Sequence, residues 1–349
     1  MRRLLLTLLL TTGTITAVHA QANANLSSQG YYADPEIRIF DHQYWIYPTA
    51  SNTGEQSDEK SFNSQQAELR KQHVVHAAYL SQTSLDAFSS PDLVHWTKHK
   101  QVLSVKNVPW AAYAIWAPSA IEYKGKYYLF FAANDIQKTD TFPGGIGVAV
   151  SNKPGGPFVD ALGKPLIGAF YNGSQPIDPM VYRDDDGSVY LYYGGQGHCN
   201  VAKLSSDLTH VVPMADGTMY KEITPAHYVE GPFMIKRGGV YYFMWSEGDW
   251  GNSTYGVAYA KSASPTGPFT RAGKILSTDL VIASGPGHHS VVHIPHTDDW
   301  YIVYHRHPLG TTGPNQRVMA IDPMHFDASG SIEPIVMTKD GPGAVPLKH

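Results

Sequence analysis

The chain has 349 residues, with 26 basic and 30 acidic side chains and a formal charge of −4. No Lys/Arg run stands out, so composition excludes nucleic acid and anionic membrane as electrostatic partners. The single cysteine, Cys199, excludes an intrachain disulfide, and 32 Gly, 24 Pro and 22 Tyr point to short strands and tight turns rather than helices.

Residues 1–20, MRRLLLTLLLTTGTITAVHA, have a basic start, a short apolar stretch and small residues before a cut after Ala20 or Ala24. This pattern predicts a signal peptide and a secreted or periplasmic protein. One domain is expected over 25–349, and no later run is long enough to span a bilayer. Without Arg2 and Arg3, 24 basic residues face 30 acidic ones, a charge of −6. Cys199 reads as a small buried residue.

Five hairpin patterns follow: DHQYWIY (41–47), YKGKYYLFF (123–131), DDDGSVYLYY (184–193), KRGGVYYFMW (236–245) and HTDDWYIVY (296–304). Each joins a turn to an aromatic-rich strand. With Trp45, Tyr128, Tyr190, Tyr242 and Tyr301 as equivalents, the separations are 83, 62, 52 and 59 residues. Periods of this size with about four strands each mean propeller blades, so an all-β, single five-bladed β-propeller is expected. The long first interval holds a polar insertion at 51–66. The only helical turn is expected within 63–80, around Ala67, Leu69 and Arg70. Turn-to-strand segments at 89–103, 151–166, 205–212 and 262–276 supply outer strands.

Counting back 11 or 12 residues from each aromatic anchor reaches Asp34, Ala117, Asp178, Glu230 and His289. These are expected to open the innermost strand of each blade and to converge on one mouth of the central channel. Proline follows Asp34, Ala117 and Asp178 directly, and stands two residues after Glu230. It keeps the preceding residue extended. Three carboxylates, Asp34, Asp178 and Glu230, are thereby brought together. Glycoside hydrolysis needs such a set, with one acid to protonate the leaving oxygen and one base to activate water. A calcium site is the alternative for the same residues.

The chain resembles glycoside hydrolase family 43, in ADPEI, SSPDLVHWT, WAPSAIEYKGKYYLFFAA, IDPMVYRDDDGSVYLYYGG, VEGPFMIKRGGVYYFMW and GPGHHSVVHIPHTDDWYIVYHR, over about residues 31–335. The Asn-Asp-Pro, Arg-Asp-Pro and Glu-Cys motifs of invertase-like enzymes are missing. SPDLVHW (90–96) lacks the glycine of a sialidase box. The resemblance implies that Asp34 is the general base, Glu230 the general acid, and Asp178 the residue that raises and positions the acid. It implies inversion, with base and acid about 6.5–9.5 Å apart.

It also implies Trp116 as an aromatic wall, Arg306 or Arg317 as the arginine on sugar hydroxyls, and His288 pointing at one structural calcium in the channel. No organic cofactor is expected. Histidines along GHHSVVHIPH (287–296) alternate faces, which argues against zinc. The implied activity is exo-α-L-arabinofuranosidase on an oligo- or polysaccharide. β-Xylosidase, endo-1,5-α-L-arabinanase and exo-β-galactanase are alternatives, and a non-catalytic carbohydrate-binding propeller is a remote one. The exo expectation rests on the insertion at 51–75, read as a wall at one end of the cleft.

Overall fold

Five antiparallel sheets succeed one another along the computed structural model, which describes residues 24–51, 62–72, 79 and 82–348. The expected leader lies outside the described residues, as does most of the insertion. Blade 1 is β1 (Tyr32–Phe40), β2 (Gln43–Ala50), β3 (Ser84–Ser90) and β4 (Thr97–Ser104). Blade 2 is β5 (Trp116–Tyr123), β6 (Lys126–Ala133), β7 (Gly145–Ser151) and β8 (Val159–Asp160). Blade 3 is β9 (Met180–Arg183), β10 (Val189–Tyr193), β11 (Asn200–Leu204) and β12 (Val211–Val212), with β13 (Tyr220–Glu222) also on β11. Blade 4 is β14 (Glu230–Arg237), β15 (Val240–Glu247), β16 (Gly256–Ser262) and β17 (Thr270–Leu276). Blade 5 has three strands, β18 (Ala283–His293), β19 (Trp300–Pro308) and β20 (Val318–Met324). The propeller expectation is met.

The aromatic runs that marked the repeat have a packing reason. Successive residues of a strand face opposite sides, and in a propeller both sides are neighbouring blades. On β6, Phe131 packs with Trp45 and Tyr47 of blade 1, while Phe130 packs with Leu191 and Tyr193 of blade 3. On β10, Tyr193 joins blade 2 and Tyr192 joins Phe243 and Trp245 of blade 4. Both faces of each second strand are thus buried, so the apolar run is continuous rather than alternating.

The ring closes without a covalent link. Ile37 N–H donates to Ser290 Oγ (2.9 Å), and that hydroxyl donates to Pro35 O (2.7 Å). Tyr32 N–H donates to Arg317 O (2.8 Å). The C-terminal tail returns to blade 1, where Val345 N–H donates to Asp92 O (2.9 Å).

The expected helical turn is helix α1, Ser64–Gln72. Asn63 and Gln66 cap it reciprocally, each side chain accepting the other's amide at 2.9 and 3.0 Å. Gln66 Nε2 also donates to Val105 O, Val108 O and Ala111 O. Leu69 packs on Ala112, Tyr113 and Ala114 beside Tyr79 and Trp116. The helix is therefore clamped to the blade 1–blade 2 connection, at the edge of the channel mouth. Cys199 is buried and free, and burial pushes its thiol pKa up, as a structural cysteine requires.

Candidate active site

Asp34, Ala117, Asp178, Gly231 and His288 all adopt left-handed backbone, with φ of 50°, 41°, 53°, 62° and 40°, so the three that precede proline are not extended as expected. Each lies four residues before the partner of its blade's aromatic anchor: Arg38, Ile121, Tyr182, Ile235 and Val292. These five are the true equivalents. Counting from the anchors placed Glu230 and His289 there instead; Glu230 is one residue early and His289 one residue late. The cause is hairpin length, because the loop between the inner two strands differs among blades while the distance from opening residue to paired residue does not. In blades 1, 2, 4 and 5 the pairing register shifts around this position, the mark of a β-bulge that re-aims a side chain.

Blade 4 spends the bulge position on glycine. A Cβ on Gly231 would stand 3.2 Å from His288 Cγ and 3.3 Å from Ser246 Oγ. Its amide instead donates to Asp178 Oδ2 (3.1 Å), which leaves the preceding Glu230 to enter the site.

Asp34, Asp178, Glu230 and His288 line one cavity of ≈ 170 Å³ at the channel mouth, together with Trp116, Trp250 and Arg317. The three carboxyls differ in charge. Burial alone would raise Asp34, but the neighbouring His288 and Arg317 outweigh it and hold the carboxyl well below the usual range. Burial lowers His288 itself, so Arg317 is the permanent cation. Its Nη1 lies 3.5 Å from Asp34 Oδ1, its Nε donates to Ser51 Oγ (3.3 Å), and its guanidinium carbon sits 5.0 Å from the Trp250 ring centroid.

Burial, then repulsion from Glu230 and Asp34, pushes Asp178 well above its ordinary value. Burial raises Glu230 to about 6 against the opposing hydrogen bond from Tyr255 Oη (2.7 Å to Oε1). One ionised carboxylate thus faces two that retain protons to higher pH, the split that a base and an acid need.

Two supporting residues escaped the sequence reading. His305 is fully buried, and burial drives its pKa down to about 3, so the ring is neutral. Its Nδ1 lies 3.2 Å from the Asp34 amide, whose proton it accepts, and the ring stacks on Tyr255 with centroids 5.6 Å apart. Tyr255 in turn holds Glu230. The stack therefore ties Asp34 to Glu230. A signal existed in YHRH (304–307), where alternation puts His305 on the face opposite Tyr304 and Arg306.

That alternation also separates the two arginines. Arg317 is in the cavity, whereas Arg306 is turned away and donates from Nη1 to Thr338 O (2.7 Å), which anchors the C-terminal tail. Trp116 does line the cavity; its Nε1 donates to Gln82 Oε1 and Tyr79 packs edge-on at 4.8 Å. Thr49, Gln82, Asp135 and Gln175 add polar wall.

The channel calcium fits these residues poorly. His288 Nδ1 lies 3.3 Å from Asp34 Oδ1 and 3.6 Å from Asp178 Oδ2. Among the described residues no group of three or more His, Cys, Asp or Glu is arranged to hold a metal. Calcium prefers a cage of oxygens, and no step below is routed through one.

The model for the glycosyl hydrolases family 43 matches residues 72–332. The chain belongs to family 43. The matched span includes Asp178 and Glu230; Asp34 precedes it, and its place in the site rests on the geometry above. A β-D-galactofuranosidase of Aspergillus niger is 42% identical over 325 residues, covering 89% of this chain and 84% of that protein. Xylosidase/arabinosidase 43A of Humicola insolens is 32% identical, covering 88% and 98%. Among solved structures, an α-L-arabinofuranosidase of Clostridium thermocellum superposes with a TM-score of 0.67 at 29% identity, covering 88% of this chain and 94% of that one. This family 43 chain is a glycoside hydrolase, and its relatives differ among themselves in the sugar they release.

Proposed function

We propose that the protein is an exported, inverting exo-furanosidase that releases terminal α-L-arabinofuranosyl or β-D-galactofuranosyl units from oligo- or polysaccharides. The observation that carries it is the protonation split inside a small cavity walled by Trp116, Tyr79 and Trp250. Asp34, ionised at all working pH, takes a proton from water as that water attacks the anomeric carbon. Glu230, still protonated, gives its proton to the leaving glycosidic oxygen. Burial and the charge of Asp34 keep Glu230 protonated, and Asp178, itself protonated, is fixed beside it by the Gly231 amide. Arg317 holds Asp34 ionised and offers its remaining donors to sugar hydroxyls.

The two furanoses share one ring configuration. D-Galactofuranose is L-arabinofuranose extended by a hydroxymethyl group on its exocyclic carbon, so one pocket admits both if its distal wall leaves room. The galactofuranosidase and arabinofuranosidase relatives support that pairing. The xylosidase/arabinosidase relative supports β-xyloside hydrolysis as the second reading.

Initial rates on 4-nitrophenyl α-L-arabinofuranoside, β-D-galactofuranoside and β-D-xylopyranoside decide between them, with the furanosides expected to exceed the xyloside by tenfold or more. Early-time product NMR is expected to show the anomer opposite to the substrate's. EDTA is expected to change the rate less than about twofold, in line with the poor oxygen cage; a larger loss restored by Ca²⁺ would place a cation in the channel. Export predicts protein recovered outside the inner membrane with Gln21 or Asn25 at its N-terminus.

A further inference from the structure

Asp135 is the one carboxylate in the cavity that the chemistry above leaves unused. It is the second residue after β6, in left-handed backbone at φ 39°, next to Asn134 at φ 67°. Such backbone is unfavourable for residues other than glycine and persists where the surroundings over-determine it. Here they do. Asn134 is fully buried; its Oδ1 accepts from Ala112 N (2.8 Å) and Tyr113 N (3.2 Å), and its Nδ2 donates to Trp110 O (2.9 Å) and Pro143 O (2.8 Å). Gln175 Nε2 donates to Asp135 Oδ1 (3.0 Å) and to Ile136 O (3.1 Å). One carboxylate oxygen is thereby fixed. The other has no protein hydrogen-bond partner among the described residues and belongs to a side chain lining the cavity.

Its place in the ring gives it a direction. Glu230, which meets the leaving oxygen, comes from blade 4, so the aglycone departs on that side. Asp135 comes from blade 2, and Gln175 from the connection between blades 2 and 3. In a furanoside the exocyclic carbon is borne by the ring carbon across the ring oxygen from the anomeric centre, away from the aglycone. Its hydroxyl is a donor that a fixed carboxylate oxygen accepts.

We propose that Asp135, clamped by Gln175 on the Asn134 turn, accepts the exocyclic hydroxyl of the terminal furanose, the one that both furanosides carry. This rests on the furanosidase reading and goes beyond it by naming the residue and the hydroxyl.

The test is a cycle in which enzyme and substrate are each trimmed. Wild type and Asp135→Ala are assayed on 4-nitrophenyl α-L-arabinofuranoside and on its 5-deoxy analogue, which lacks the exocyclic hydroxyl. At pH 7, above the value of about 6 to which burial raises Asp135, each single change is expected to lower kcat/KM about 10–150-fold, the worth of a hydrogen bond to a charged group. The two changes together are expected to cost no more than about threefold beyond either one, because they delete the same contact. Losses that multiply would overturn the assignment, as would an Asp135→Ala rate equal to wild type on the full substrate. Asp135→Asn, checked for an unchanged Tm, replaces the alanine variant if that one fails to fold. Wild type that cleaves only the xylopyranoside refutes the furanosidase reading itself, an outcome visible before any variant is made.

Discussion

Asp34 in blade 1 and Asp178 in blade 3 occupy the same place in the repeat. Each is an aspartate in left-handed backbone, followed by proline, buried at the mouth of one cavity. Their chemistry is opposite. Asp34 looks at Arg317 and His288 and stays ionised; Asp178 looks at Glu230 and Asp34 and holds its proton. Burial raises both, so burial does not distinguish them. What distinguishes them is which neighbouring blade each faces. Blade 5 supplies His288 and His305, and Arg317 precedes its last strand; blade 4 supplies another acid. The repeat places a carboxylate, and its neighbours across the channel give it a role.

The largest effects should come from removing either end of that contrast. Asp34→Asn is expected to lower kcat by about 10²–10⁴-fold on every substrate, since water loses its base. Glu230→Gln should cost as much on natural linkages but far less on aryl glycosides with good leaving groups, which need little protonation. Equal losses on both substrate types would mean that the two roles are misassigned.

Next comes the pH profile. Glu230 must be protonated, so kcat/KM should be full below about 6 and fall as pH rises through that value. Asp34 must be ionised and lies far below, so it adds no acid limb in the ordinary assay range. Arg317→Leu removes the permanent cation beside Asp34. Its pKa should rise, and an acid limb should appear in kcat/KM. A profile unchanged in shape would show that Arg317 does not set the charge of Asp34.

Tyr255→Phe probes the acid more gently. The Tyr255 hydroxyl favours ionised Glu230, so its loss should shift the basic limb of kcat/KM upward, with a rate change of about tenfold or less. Movement of the limb downward would contradict the hydrogen-bond assignment.

Smallest for chemistry is Arg306→Ala. It removes the bond to Thr338 O and should destabilise the fold by about 1–3 kcal/mol in urea unfolding, with kcat unchanged. A large kcat loss at unchanged stability would return Arg306 to the site.

Legibility followed physical range. The anchors Trp45 to Tyr301 could be read because inter-blade packing requires aromatic and apolar residues on both faces of each second strand, a local and repeated demand. Asp34 and Asp178 could be read because acid and proline stand at matched distances from those anchors. Glu230 was found by residue type while its register was off by one, and His289 was set where His288 belongs. Loop length inside each hairpin is free to vary, and counting along the chain cannot see the pairing.

By itself, then, the sequence determined the number of blades, the three carboxylates and their convergence on one mouth. Only the tertiary structure decided which arginine enters the cavity, which histidine supports Asp34, and which carboxyl keeps its proton. It also decided that Asp135 stands in the wall with one oxygen held by Gln175. Those answers depend on distances of a few ångströms between residues from different blades, and electrostatic coupling at that range is set by how the sheets pack around the channel.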